Sequence, residues 1–132
     1  MSSDLPAVNH LTAALVDTLT AVLPDGWSLR DAEAKTDSAL GVVLYYEQGD
    51  LVTEINGGPV PIGYVGVEYT LTLTAPETDP QKGTATVTNA ALKLLTALDG
   101  QPNLYWDRAV KVRLSTGETC YRLAIVHLST YN

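Results

Sequence analysis

The 132-residue chain has no phenylalanine, one cysteine, one methionine, two histidines, and eight lysines and arginines against fifteen acids. Each shortage narrows the field. A single cysteine, Cys120, leaves no intrachain disulfide to staple the fold, which fits synthesis in a reducing compartment. A zinc site needs three or four His, Cys or carboxylate ligands at recurring spacings, and Cys120, His10 and His127 do not supply them, so no metal or cofactor is expected. The formal net charge of −7 is the reverse of the basic footprint by which proteins hold a phosphate backbone. An acidic surface can still face DNA if its work is to let DNA slide past. The opening MSSDLPAVNH has no basic n-region and no apolar run reaches the length of a membrane span. The expectation is a chain that stays in the cytoplasm where it is made, without a membrane partner.

What is present is ordinary globular material: 45% hydrophobic and 17% charged residues, at a length typical of one domain with a core of its own. Seven tyrosines stand where phenylalanines would be usual. A tyrosine packs through its ring while its hydroxyl needs water or a partner, so it suits half-buried and interface positions.

Periodicity supplies the elements. Val8, Leu11, Leu15, Leu19 and Val22 recur at helical spacing, with Asn9, His10 and Asp17 opposite, so a helix is predicted over 5–23, capped by Ser3 or Asp4 with Pro6 in its first turn. Pro24-Asp25-Gly26 ends it. Trp27 and Leu29 open a short strand, and 33–39 (EAKTDSA) is a polar loop. GVVLYY, 41–46, is apolar on both faces, as in a central strand or one covered by another subunit. Val65–Thr74 alternates strictly: Val67, Tyr69, Leu71 and Leu73 share one face, and Glu68, Thr70, Thr72 and Thr74 the other. Pro76 stops it. Asp79-Pro80 opens a second helix with the stripe Val87, Ala91, Leu94, Leu95 and Leu98, ended by Asp99-Gly100; Leu92 falls outside that stripe. Leu104–Leu114 and Thr119–Leu128 form a hairpin in which Gly117 takes the left-handed position. The fold expected is α+β: an antiparallel or mixed sheet with two amphipathic helices on one face, Val67, Tyr69, Leu71 and Leu73 lying under both helical stripes.

Residues 47–64 read as a protruding arm. Asn56-Gly57 is a hairpin turn signal, but Pro59 and Pro61 cannot donate to a ladder and demote the return strand. The arm carries Leu51, Val52, Ile55, Val60 and Ile62, apolar groups without a place in the core. With Leu92 they are the candidate subunit-interface residues. Glu47, Asp50 and Glu54 are the acids of this stretch.

No residue pattern announces catalysis. His10 reads as a solvated helix residue, His127 as a structural one near the end of a strand. Cys120 follows a turn, where it stands to be exposed, yet no neighbour in sequence lowers its pKa. Asp31/Glu33, Glu47/Asp50/Glu54 and Glu77/Asp79 offer the carboxylate pairs of an acid/base hydrolase. Such pairs also arise on any solvated acidic surface. Asn56-Gly57-Gly58 lacks the lysine and the strand–loop–helix context of a phosphate loop.

The run VGVEYTLTLTAPETDPQKG, the helix ALKLLTALDG, then QPNLYWDRAVKV and the closing strand TCYRLAIVHL, together with the first helix, resemble the tail terminator proteins of long-tailed, siphovirus-type phages, especially those of actinobacterial hosts. The strand–PETDPQKG–helix junction is the strongest piece. The resemblance implies an α+β domain assembled as a hexameric ring on the head-proximal end of the tail tube. There it ends tube polymerisation and gives the head or neck connector a docking surface, while DNA passes through the centre, a lumen for which the resemblance makes Glu47, Asp50 and Glu54 the candidate acidic lining. It implies no cofactor and no catalysis, and a place in the virion at the head–tail junction. Edge strands and the arm would pair subunits by strand addition. Three alternatives stay open: a head-completion or neck connector protein, a tail tube subunit, and, from a different class, a small hydrolase using the carboxylate pairs.

Overall fold

A computed structural model of the chain describes residues 9–32, 41–75, 80–115 and 117–131. The predicted caps Ser3 and Asp4, together with Pro6, Val8, the 33–39 loop, Pro76 and Asp79, lie outside the described residues. The element order is α1 (His10–Val22), β1 (Ser28–Asp31), β2 (Val43–Val52), β3 (Glu54–Ile55), β4 (Gly58–Pro59), β5 (Tyr64–Thr74), α2 (Pro80–Asp99), β6 (Leu104–Arg113) and β7 (Thr119–Thr130). Five strands form one mixed sheet in the order β1-β2-β5-β7-β6, with β1 parallel to β2 and the remaining pairs antiparallel. The α+β class expected from periodicity is the class observed.

The first helix starts later than the apolar spacing suggests. Asn9 is extended (φ −83°, ψ 174°) and its side chain accepts from the Thr12 amide, so the helix begins at His10. An asparagine in that position satisfies an amide that the first turn would otherwise leave unpaired. At the far end Leu23 N–H closes onto Leu19 O before Pro24. The second helix keeps its predicted bounds, and Leu92 is 58% exposed on its outer side.

Both helices pack on one face of the sheet. The core joins Leu15 and Leu19 of α1 and Ala90, Ala91, Leu94 and Leu98 of α2 to Leu44, Tyr46, Val67, Tyr69, Leu71, Leu73, Leu123 and Ile125 of the sheet. Cross-strand register explains the selection. Tyr46, Leu71 and Leu123 are partners in one row and Leu44, Leu73 and Tyr121 in the next, so every second residue of three adjacent strands enters the same layer.

Tyrosine hydroxyls in this layer find partners. The Tyr69 hydroxyl lies 3.4 Å from Thr12 Oγ1, which donates to Gln48 Oε1 at 2.8 Å, and Asn9 Nδ2 donates to the same oxygen at 2.9 Å. Three elements are tied at the start of α1 by this one amide. The Tyr121 hydroxyl meets Thr88 Oγ1 of α2 at 3.0 Å. Burial raises the pKa of both Tyr46 and Tyr69, which keeps these hydroxyls protonated.

Candidate interaction surface

Among the described residues the second face of the sheet carries no helix. At one end Val43, Thr74, Cys120 and Val112 are cross-strand partners, and here Val43 and Cys120 are buried. Cys120 is therefore not the exposed residue its place after a turn suggests. Its side chain points into this row, and burial pushes its thiol up in pKa, the opposite of activation. Farther along the face, Thr70, Thr72 and Val126 are half-buried, Arg122 and Ala124 are exposed, and Val110 is 40% exposed.

The arm is an extension of this sheet. β2 does not stop at Tyr46; it runs to Val52 along β5, although Glu47, Gln48, Gly49 and Asp50 are all exposed. The backbone ladder pairs Glu47 with Thr70 and Gln48 with Tyr69 without burial of either Glu47 or Gln48. One extra residue enters β2 between Gln48 and Leu51, where the register shifts against β5. Beyond Val52 the chain makes the small β3–β4 hairpin, whose turn residues Asn56 and Gly57 have φ of 53° and 79°. Two successive positive φ values define the turn that matches strand twist, and they account for Asn-Gly at this point. Gly66, the partner of Val52, leaves room for this crossing: a Cβ there would lie 2.8 Å from Val52 Cγ2, 3.1 Å from Val126 Cγ1 and 3.3 Å from Val52 O.

A second irregularity faces the arm from the opposite edge. β6 carries one extra residue between Trp106 and Ala109, at Asp107 and Arg108. Between the arm and this bulge lies a depression of about 450 Å³, walled by Gly49, Asp50, Glu54, Ile55 and Asn56 on one side and by Tyr105 and Asp107 on the other, with Glu68, Thr70, Ala124 and Val126 across its floor. A second depression of about 440 Å³ shares Thr70, Asp107 and Ala124 with it and continues past Arg108 and Arg122 to Val110 and Val112. The result is a shallow groove, acidic at the arm and basic beyond the bulge.

The candidate residues divide accordingly. Of the acidic set, Asp50 and Glu54 stand together on the wall of the groove, while Glu47 lies farther along β2 opposite Thr70 and outside it. Of the apolar set, Ile55 enters the groove wall and Val52 packs over Gly66. Leu51 is 58% exposed, Ile62 fully exposed and Val60 half-buried. Tyr64 and Tyr131 are also exposed, and Tyr64 pairs with Thr130 beside Tyr131. Leu51, Ile62, Tyr64 and Tyr131 thus gather at one end of the sheet; Leu92 is on α2, away from them. The two tyrosines and the acids Glu68 and Asp107 were missed in the sequence, since only the strand register brings them to the arm.

His10 is exposed and His127 buried. His127 Nδ1 has no hydrogen-bond partner, and burial lowers the pKa of its imidazole. Among the described residues no group of three or more His, Cys, Asp or Glu is arranged to hold a metal ion, and no helix is long and apolar enough to cross a membrane.

No family model matches the chain, and no curated protein matches it. Among solved structures it is similar to a sheath/tube terminator, in the extended state, of an extracellular contractile injection system (PVC), at 15% sequence identity and a TM-score of 0.44. The match covers 97% of this chain, which spans 58% of the length of the other.

Proposed function

We propose that this chain is a virion structural protein, a tail terminator whose ring, hexameric as in the family it resembles in sequence, caps the head-proximal end of a phage tail tube. The ring ends tube growth and offers the head or neck connector its docking surface. It is not an enzyme: its work is done by surfaces, and DNA passes through it without specific binding, past a chain of net charge −7. Beside the sequence resemblance, the observation that carries this reading is the one-sided sheet. Both helices cover one face, while the other face and the arm end leave Leu51, Ile62, Tyr64, Val110 and Tyr131 exposed. Exposed apolar groups in such numbers on one small domain belong to contacts made in an assembly.

The test is electron microscopy of virions labelled on this protein. Label confined to the head-proximal end of the tail is expected. Label along the tube identifies a tube subunit, and label on the head alone a head-completion protein; either overturns the proposal.

A further inference from the structure

We infer that the groove on the open sheet face is the seat of α2 from a second copy of this chain, held by lysines of that helix set between the acids on the two rims. The inference rests on the ring reading above and names the contact that builds the ring.

Charge and spacing carry it. The outer side of α2 is cationic from Lys82 to Thr96: Lys82 and Lys93 are exposed, Leu92 beside them is 58% exposed, and no acid occurs before Asp99. The two lysines are eleven positions apart in sequence, so they point to the same side of the helix about 16 Å apart along its axis. On the groove, Asp50 and Glu54 stand on the β2 side and Asp107 on the β6 side. These strands are three sheet spacings apart, β2-β5-β7-β6, or about 14 Å. A helix laid across the strands therefore places one lysine at each acidic rim. The floor beneath it is low, made of Thr70 and Ala124, with Val126 and Tyr105 for apolar contact. Leu92, which has no place in its own core, gains one there. Exposed ion pairs alone are weak; covering the open sheet supplies the area, and the charges set register and direction.

The contact is heterologous: the surface that gives and the surface that receives lie on opposite layers of the same subunit. Each copy can take one neighbour and offer itself to another, which closes a ring or extends a stack. It also moves Asp50 and Glu54 from the lumen, where the resemblance would place them, into the joint between subunits.

α2 and the groove lie on opposite faces of the sheet, so a crosslink from Lys82 or Lys93 to Asp50, Glu54, Glu68 or Asp107 is expected only between chains. A water-soluble carbodiimide, which joins an amine to a carboxylate only on contact, tests this on the full-length protein at high concentration and on intact virions. Crosslinked peptides joining these lysines to these acids between chains are expected. The double variant K82E/K93E should weaken self-association about tenfold or more, and adding E54K/D107K, one reversal on each rim, should restore it. All four residues are exposed, so the variants fold. A chain that stays monomeric at every concentration, crosslinks that avoid these pairs, acids joined to lysines of another protein, or reversal without rescue each overturns the contact. Virions labelled at the tail end but lacking these crosslinks would refute the contact and leave the terminator reading standing.

Discussion

Gly66 is where the arm departs from the sheet, and replacing it with alanine tests that geometry. The added methyl would sit 2.8 Å from Val52 Cγ2 and 3.1 Å from Val126 Cγ1, both closer than carbon atoms pack, and 3.3 Å from the Val52 carbonyl. Two opposed effects follow. Losing the glycine's unfolded-state freedom favours the folded protein by about 0.4–1 kcal/mol. Overpacking costs about 1–3 kcal/mol. The valines are stiff at χ1 and one contact is to backbone, so the steric cost wins. Gly66→Ala should destabilise by about 1–2 kcal/mol, or roughly 4 °C in Tm for a domain of this size. Val52→Ala removes the shortest contact. In that background the same substitution should cost about 1 kcal/mol less, a coupling well above the error of a double-mutant cycle. Urea unfolding followed by the fluorescence of Trp27 and Trp106 measures all four corners. Additive costs, or a Gly66→Ala protein as stable as the parent, would mean that Val52 does not lie over Gly66 and that the arm leaves the sheet along another path.

Four further expectations follow from the same structure. Leu71 is fully buried between both helices and its cross-strand partners, so Leu71→Ala should cost about 2–5 kcal/mol in chemical unfolding; a cost below about 1 kcal/mol would refute the register. Asn9→Ala removes the cap and the Gln48 contact and should cost about 1 kcal/mol, with Asn9→Asp retaining most of it; equal losses in the two variants would place the helix start elsewhere. Burial lowers the pKa of His127 below its unfolded value, so the unfolded chain takes up a proton first as pH falls below about 6.5; stability should decline from there downward, and His127→Gln should flatten that decline in melts taken between pH 5 and 8. Replacing residues 53–60 with a short turn should leave the monomer folded but block tail capping, and infected cells that still yield tails of defined length would show the hairpin to be dispensable.

Much of this fold is legible in the sequence because the residues that define it act locally. Pro80 and Gly100 bracket α2, strict alternation marks β5, and Gly117 marks the β6–β7 turn with φ of 89°. What escapes a linear reading depends on partners distant in sequence. β2 runs on through Glu47, Gln48, Gly49 and Asp50, residues with no strand signature, because β5 supplies the ladder. The apolar stripe of α1 extends upstream of Asn9, so only the cap fixes its start. Cys120 sits beside a turn yet is buried in a row assembled from four strands. The groove was the least legible part. Its acids come from β2, β3, β5 and β6, and only the strand order and two one-residue bulges bring them together.

The edges of the sheet have a bearing on when such a protein assembles. β1 offers only four residues. β6 offers ten, but its ladder is broken by the extra residue at Asp107-Arg108, and Lys111 and Arg113 are exposed along it. Short, bulged and charged edges resist pairing with the strands of another chain. Growth by unlimited addition of strand to strand is thereby discouraged, while a face that accepts only a matched helix stays open. Under the terminator reading proposed above, such edges would keep newly made copies from joining strand to strand before a tube end receives them.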